Sequence, residues 1–301
     1  MTKSAKRRNY VRFEQIWGWL FISPMMLELV VFLLIPLVAS FVIGFTQWNL
    51  ITNPIWVGFD NYVALFRNEL FPKAIANTFI LMSGIPVGAA ISFLIAVMLK
   101  RAMGALNNVF KVLLYLPAVT NTVAVAITWR FMFNSEYGLI NQMLRVFGVS
   151  DGPRWLSSPE WIKPAFLIMG IWVGLGSTML MFLAALNNIP SEYYEAAEID
   201  GASGFKQMMR ISIPLCTPTI FYILVTGIIA GLQAFGQTYV MAPGGGMEYS
   251  AGTIVYFVWQ QGMENMKMGM ASAAAWLLGV VIFIITLIQF RMQRYWVHSS
   301  V

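Results

Sequence analysis

Residues 74–99 read AIANTFILMSGIPVGAAISFLIAVML, a run that contains no charged side chain. A helix needs about 20 mostly apolar residues to cross a bilayer, because the hydrocarbon core is about 30 Å thick and a helix rises about 1.5 Å per residue. The run is therefore long enough for one crossing. Three more uncharged stretches of this kind follow, at 164–191, 211–247 and 268–290. The pattern predicts an all-α integral membrane protein.

The composition agrees with a membrane protein and disfavours most enzymes. Of the 301 residues, 58% are hydrophobic and 11% are charged, against roughly 25% charged residues in soluble domains. The chain has one cysteine, Cys216, and one histidine, His298. These residues offer no disulfide within the chain, no metal cluster and no nucleophile beside a histidine base. We therefore predict no catalytic residue and no metal site.

Six apolar stretches are long enough to be transmembrane helices. We predict them at about 17–45, 74–99, 109–133, 164–186, 214–235 and 270–290. Pro24 and Pro36 are expected to bend the first helix, because proline lacks the amide hydrogen of a regular helix. The chain is thereby divided into a basic N-terminal segment (1–16), a six-helix transmembrane domain (17–290) with a loop at 187–213, and a tail (291–301).

The net charge of +6 is interpreted as membrane topology and not as nucleic-acid binding. Twelve of the 19 Lys and Arg residues fall in the N-terminal segment, the loops 100–111 and 187–213 and the tail, and six fall in the three opposite loops. Cytoplasmic loops carry the excess of Lys and Arg. Both termini are therefore predicted to be cytoplasmic, which an even number of spans requires.

The loop between the fourth and fifth predicted helices is acidic where the other loops on its side are basic. Residues 190–214 read PSEYYEAAEIDGASGFKQMMRISIP. Ser191 is expected to cap a short helix that Gly201 ends, and Ser203 is expected to cap a second one. The residues alone leave two interpretations open: a docking surface for basic groups of a partner, or a solvated interfacial helix with no special role.

The order of residues in this loop closely resembles the EAA loop of permease subunits in bacterial ABC importers. The matching residues are the EAA at 195–197, Gly201, Ile211, Ile213 and Pro214, with Ile213 in place of the usual Leu. In that family the loop is a coupling helix, which sits in a cleft of the ATPase subunit and transmits its closure. The resemblance implies a type I ABC importer permease-like bundle with a cytoplasmic coupling helix. It assigns coupling to the ATPase to Glu195, Ala196, Ala197, Asp200, Gly201 and Pro214.

Other motifs extend the resemblance over nearly the whole chain. They are GFDNY at 58–62, Asn77-Thr78, GLIN at 138–141, Gly244-Gly245 with Thr253, and ASA at 271–273. They resemble the carbohydrate branch of the family, whose members include the maltose and glycerol-phosphate permeases. The segment APGGGM at 242–247 departs from that branch, which often has Thr first and Pro after the glycines.

The resemblance implies a subunit of the bacterial inner membrane that helps conduct a sugar or oligosaccharide by alternating access. The implied partners are a second homologous permease, two copies of an ABC ATPase and an extracellular or periplasmic sugar-binding protein, within a lipid bilayer; no nucleic acid is expected. The chain has no Gly-x4-Gly-Lys-Ser/Thr phosphate loop. No cofactor is therefore expected in this chain, and ATP and Mg would be bound by the partner ATPase.

Few polar side chains are predicted at membrane depth, where a sugar needs hydrogen bonds. The fourth helix offers Trp172, Gly174, Ser177 and Thr178, and the fifth offers Gln233 and Gln237. By resemblance, related permeases contact sugar from these two regions. Helix packing is the competing interpretation. It is favoured for single glycines, because the pairs 84/88, 170/174 and 227/231 have the spacing of close helix contacts. For Trp172 and Gln233 the two interpretations are equally supported.

Glu28 lies within the first predicted helix, where an unpaired acid costs at least ~2.5 kcal/mol. It is either a proton or cation site, or a neutral or hydrogen-bonded group that faces the bundle or the partner. The second interpretation is favoured, because no other intramembrane acid forms a relay with it. The alternative for the whole chain is a secondary transporter or channel that works without ATP. That alternative predicts more intramembrane charge, paired broken helices and an inverted repeat.

Overall fold

The computed structural model describes the backbone of residues 2–101 and 105–298, and the side chains of residues 13–100 and 107–298. The described chain is almost entirely helical, which confirms the predicted all-α fold. Two short strands, β1 (Thr46–Gln47) and β2 (Ile55–Trp56), pair antiparallel after the first span. Four helical stretches are long and apolar enough to cross a membrane, and two bent helix pairs bring the number to six.

The first span is loosely connected to the others. It combines α1 (Thr2–Glu28), a π-helical stretch (Leu29–Leu34) and α2 (Ile35–Ile43), and its apolar part is Phe13–Ile43. Pro24 lies inside α1 and Pro36 at the start of α2, so the prolines flank the π-helical stretch, where the hydrogen bonding of the helix is irregular. None of the most apolar window of this span is buried within the described chain. The span therefore presents a wide apolar surface.

Three further spans are continuous or nearly so. The second span consists of α4 (Leu70–Met82) and α5 (Gly84–Arg101), the fourth of α9 (Pro159–Asn187) and the sixth of α16 (Met268–Trp296). The short helix α3 (Asp60–Arg67) precedes the second span. Each of the three spans begins and ends outside its predicted apolar run, because the helix continues past the apolar residues that defined the run.

The third span is not the single helix predicted at 109–133. It consists of α6 (Ala105–Val119) and α7 (Thr122–Met132), whose apolar parts meet at 103°. Pro117 lies in the last turn of α6. The Asn121 side chain then caps α7, because its Oδ1 accepts hydrogen bonds from two amides of the first turn at 2.9 and 3.4 Å. A cap stabilises the start of a new helix, so the chain turns at Asn121.

The fifth span is also bent, and α10 (Ser191–Ile199) precedes it. Its first arm contains α11 (Gly204–Gln207), a π-helical stretch (Met208–Ser212) and α12 (Ile213–Leu215), and its second arm is α13 (Thr217–Leu232). The arms meet at 64°. Cys216 lies at the break, between Pro214 and Pro218. Proline removes a helical hydrogen bond and disfavours helical geometry in the residue before it, which accounts for the bend.

Short elements cover the end of the bundle opposite α10. They are α8 (Leu139–Val146), α14 (Gly236–Met241), two 3₁₀ turns (Pro243–Gly245 and Met247–Tyr249), α15 (Ile254–Trp259) and a π-helical stretch (Gln260–Glu264). These elements follow the third and fifth spans, as β1, β2 and α3 follow the first. Connections after odd-numbered spans share one side of a six-span protein, and the loop that contains α10 follows an even-numbered span.

The spans pack around buried apolar clusters. The cluster beside α10 joins α5, α9 and α13 and contains Phe93 and Phe182, whose ring centroids lie 5.2 Å apart. Farther along, Ile85 fills the space beside Gly227 and Gly231, because a Cβ added to either glycine would lie 2.7 Å from the isoleucine side chain. The predicted role of this glycine pair in helix packing is confirmed.

Candidate functional site

α10 presents most of the predicted coupling residues on an exposed surface. Glu195, Ala196 and Asp200 are exposed, and Ala197 is half-buried. Ile199 stands among these acids and is 88% exposed. Carboxylates, an exposed apolar side chain and small alanines together suit close contact with a surface of another chain that carries basic and apolar groups.

Gly201 ends α10 as the sequence predicts. Its φ is +71°, in a region that residues with a Cβ rarely adopt. The Ala202 amide donates to the Ala197 carbonyl at 2.8 Å. The Gly201 amide donates to the Glu198 carbonyl at 3.0 Å, which completes the Schellman arrangement of a helix end. A Cβ added at Gly201 would meet no described atom within 4 Å, so the turn faces open space.

The other two predicted features of this segment differ in outcome. The predicted cap at Ser191 is wrong: Pro190 precedes the helix, Ser191 is its first residue, and no side-chain cap is formed there. Ser203 does cap the next helix, because its Oγ accepts the Lys206 amide at 3.4 Å. Pro214 lies in α12. It belongs to the first arm of the fifth span, so the structure does not group it with the coupling residues of α10.

A cavity of about 520 Å³ opens between α5, α9 and α13. Most of its wall consists of glycine, alanine and aliphatic side chains. Four polar side chains line it: Ser177, Thr178, Thr226 and Gln237. All of the lining residues belong to the described chain, and none of them is charged. Such a cavity suits a neutral molecule that has both hydroxyl groups and apolar faces.

The cavity brings together four of the six residues predicted to contact substrate: Gly174, Ser177, Thr178 and Gln237. Trp172 does not line it. An α-helix has 3.6 residues per turn, so two residues that are two positions apart lie on nearly opposite faces, and Trp172 points away from the face of Gly174. Its ring centroid lies 5.4 Å from that of Trp129. Gln233 does not line the cavity either, because it follows the last residue of α13 and is exposed.

Gly170 and Gly174 keep one wall of the cavity open. A Cβ added at Gly170 would lie 4.0 Å from Nε2 of Gln237, and one added at Gly174 would meet no described atom within 4 Å. Within the described chain, the helix-packing interpretation is therefore wrong for this pair. Ser177 Oγ donates to the Gly174 carbonyl at 3.2 Å, whereas the Gln237 amide has no hydrogen-bond partner among the described residues.

A buried polar network at the end opposite α10 was not predicted from the sequence. The Asn77 side chain donates to the carbonyls of Tyr249 and Gly252 at 2.7 and 3.1 Å. Thr78 Oγ1 accepts the Ile254 amide at 3.0 Å. The dipeptide Asn77-Thr78 was recognised as a motif, but its partners lie more than 170 residues away in the sequence. The network fixes α4 to the loop before α15.

Two tyrosines support the glycine-rich turn in the same region. Burial raises the pKa of Tyr249, with smaller contributions from Tyr256 and Glu264, and burial also raises the pKa of Tyr256. Both hydroxyls are therefore neutral. Tyr256 Oη accepts the Gly244 amide at 2.8 Å, and Tyr249 Oη donates to Oε1 of Gln260 at 3.2 Å.

A bundle of apolar spans around an uncharged, partly polar cavity, with an exposed hinge helix between two spans, defines a multi-pass membrane permease. The family "Binding-protein-dependent transport system inner membrane component" matches residues 62–298. The chain belongs to this family. It is therefore a multi-pass inner-membrane permease component, and the predicted resemblance to ABC importer permeases is confirmed.

Relatives agree along nearly the whole chain. The "Probable ABC transporter permease protein YesP" of Bacillus subtilis (strain 168) is 35% identical over 98% of this chain and 96% of its own length. The "Arabinooligosaccharides transport system permease protein AraP" of the same organism is 32% identical over 91% of this chain and 88% of its own. A crystal structure of a bacterial alginate ABC transporter, in complex with an alginate pentasaccharide-bound periplasmic protein, contains a chain with a TM-score of 0.82. That chain is 26% identical and covers 98% of this chain and 99% of its own length.

Proposed function

We propose that the chain forms, with a second homologous permease, the path by which an ATP-driven importer moves a sugar or oligosaccharide across the membrane by alternating access. The observation that carries this proposal is the cavity between α5, α9 and α13, which is uncharged and has a few polar groups at membrane depth. Gln237, Ser177 and Thr178 supply hydrogen-bonding groups, and the glycines leave room for sugar rings.

The relatives support a carbohydrate as the cargo. AraP is named for arabinooligosaccharides, and the alginate transporter is described as involved in the import of an acidic polysaccharide. The cavity of this chain lacks a charged side chain. Because an anion in a medium of low dielectric needs a paired cation, we propose that the cargo of this permease is a neutral carbohydrate.

The α10 segment supports coupling to a separate ATPase. Glu195, Ala196, Asp200 and the Gly201 turn are exposed and face no part of the described chain. We propose that they insert into a cleft of an ATPase subunit, which binds ATP and Mg and performs the hydrolysis. One six-span chain has one such segment, so two permeases would engage two ATPase copies. The permease itself would be non-catalytic.

The first span supports the presence of a second permease. Its apolar surface is uncovered, and Glu28 is exposed within it. A carboxyl group that faces lipid is costly, whereas one that faces another protein can be hydrogen-bonded. A partner bundle against this span would remove both the acid and much of the apolar surface from lipid.

We propose that the end opposite α10 receives a sugar-binding protein. The alginate transporter, which is similar to this chain, forms a complex with a periplasmic protein. This assignment requires α10 and both termini to be cytoplasmic. The excess of Lys and Arg on the α10 side supports that orientation.

Gly201→Asp tests the coupling role. Asp is among the residues that tolerate a positive φ, and the position is open, so folding and membrane insertion should be preserved. We expect the variant, assembled with its partner chains in vesicles, to lose uptake of radiolabelled neutral oligosaccharides and to lose stimulation of ATP hydrolysis by the binding protein. Glu195→Lys, which reverses a charge on the exposed face of α10, should have the same effect.

Gly148→Asp is the matched control, since Gly148 also has a positive φ, +91°, and open surroundings but lies at the end opposite α10. It should transport normally. Normal transport by both Gly201→Asp and Glu195→Lys would refute the coupling assignment. Uptake that follows an ion gradient and does not need ATP would replace the proposal with a secondary transporter.

A further inference from the structure

Lys100 at the end of α5 is bound to the end of α9. Its Nζ donates to the Leu186 carbonyl at 2.6 Å. Leu186 lies in the last turn of α9, where carbonyls have no partner within the helix. A cation at this position also interacts favourably with the helix dipole. The contact therefore holds together the second and fourth spans on the α10 side.

The same ammonium group reaches α10. Nζ of Lys100 lies 4.5 Å from the ring centroid of Tyr194, within the range of a cation–π interaction. Tyr194 is half-buried, whereas Tyr193 and Glu195 on either side of it are exposed. Tyr194 also belongs to the partly buried shell of the apolar cluster between α5, α9 and α13. Its ring therefore attaches α10 to the bundle.

Tyr194 continues the connection to the fifth span. Its hydroxyl forms a hydrogen bond with Oγ of Ser212 at 3.0 Å. Ser212 is 4% exposed and lies in the first arm of that span, just before the bend at Cys216. A series of polar contacts therefore runs from the ends of α5 and α9, through the side chain of Tyr194 in α10, to the arm of the fifth span that leads into α13. These three spans carry the walls of the cavity.

We propose that Lys100, Tyr194 and Ser212 form a strut that transmits displacement of α10 to the three spans around the cavity. The inference rests on the proposed function, because it requires an ATPase to displace α10. Pro190 precedes α10 and the Gly201 turn ends it, and in this scheme α10 moves as one body between them. The strut ties its centre to α5, α9 and the fifth span, so that a push on α10 moves the cavity walls. Lys100 and Tyr194 are positioning residues in this scheme.

The test measures opening of the cavity without requiring a known cargo. A Thr178→Cys reporter, in the full complex with the partner permease and ATPase in vesicles, is treated from the side opposite α10 with a membrane-impermeant thiol reagent, with and without ATP plus vanadate. The same complex without the reporter corrects for Cys216, which is buried. Trapped nucleotide per complex is measured in parallel.

With an intact strut, we expect nucleotide trapping to raise labelling of Thr178→Cys by about fivefold or more, a range typical of coupled sites. Lys100→Met and Tyr194→Leu should each abolish most of this rise while the trapped nucleotide is unchanged. The double variant should lose no more of the rise in labelling than the more affected single variant, because both substitutions break the same connection. Lys100→Arg should restore the rise, and Tyr194→Phe should isolate the contribution of the bond to Ser212. Lys111→Met, which removes a charge from the next helix, α6, should have no effect.

Full labelling in Lys100→Met and Tyr194→Leu would overturn the strut and leave the proposed function intact. A loss of trapped nucleotide in parallel with labelling would also overturn it, since these residues would then only support docking or folding. If the complex with an unaltered strut showed no response to nucleotide, the proposed function would fail, and the strut with it.

Discussion

Gln237 is the cavity side chain that most directly tests the proposed cargo at the scale of a residue. Its amide is unpaired within the described chain and lies over Gly170. A hydrogen bond to a neutral sugar contributes about 0.5–1.5 kcal/mol. We expect Gln237→Leu to raise KM for uptake by roughly two- to tenfold, the range that this energy gives, with ATP hydrolysis still stimulated by the binding protein. Initial uptake rates over a range of oligosaccharide concentrations measure the change.

Gln233→Leu is the control for this prediction, since the residue has the same chemistry but does not line the cavity. Its KM should equal that of the unaltered chain. Equal effects of the two substitutions would show that the cavity does not hold the cargo.

At the scale of elements, Asn77 joins α4 to the loop before α15. Its amide donates to two carbonyls and is 3% exposed. Asn77→Ala would leave the buried Gly252 carbonyl without a partner among the described residues, at a cost of about 1–3 kcal/mol. The Tyr249 carbonyl would keep the Gly252 amide, at 3.4 Å. We expect the melting temperature of the purified complex in detergent to fall by several degrees, while the rate at which proteases cut the exposed segment around α10 stays unchanged.

Gln142→Ala provides the comparison on the same end of the bundle. Its side chain donates to the Tyr137 carbonyl at 2.9 Å, but the bond is exposed, so water replaces the lost partner. The melting temperature should be unchanged. An unchanged melting temperature for Asn77→Ala as well would contradict the role given to the buried network.

The sequence predicted the spans because crossing a bilayer is a local requirement, which each uncharged run satisfies by its own length and composition. It did not predict the bend in the third span. Pro117 and Asn121 lie inside an otherwise apolar run. Such a run predicts one continuous helix unless Asn121 is recognised as the cap of a second one. The bend of the fifth span has a clearer sequence signal than that of the third, because one proline lies on each side of Cys216.

The α10 segment and the cavity also differed in how far the sequence predicted them, and the reason was again whether local or distant contacts decide the structure. The α10 segment was predictable, because Gly201 and its neighbours are consecutive in sequence and their helix end depends on local hydrogen bonds. The cavity was predicted only in part, since the face that α9 turns toward it depends on how three helices pack. Trp172 and Gln233 were placed on that face by residue type and by the resemblance to related permeases, neither of which fixes the packing. The partners of Asn77 and Lys100 are distant in sequence.

At the scale of the whole molecule, α9 links the two sites. Gly174 and Thr178 on this helix line the cavity, and the helix ends at Asn187, just before α10 begins. A movement of α10 would therefore act on the end of a helix that forms one wall of the cavity. We propose that a separate ATPase bound at α10 is the source of that movement.

Crosslinking from α10 in the assembled complex tests this dependence directly. Ala196→Cys places a thiol on the exposed face of α10, and Tyr137→Cys places one on the opposite end of the bundle, at a side chain that is 59% exposed. With a short thiol-reactive crosslinker, we predict that Ala196→Cys yields a product with a nucleotide-hydrolysing chain and that Tyr137→Cys yields none. Absence of that product from Ala196→Cys, or its appearance from Tyr137→Cys, would contradict the account.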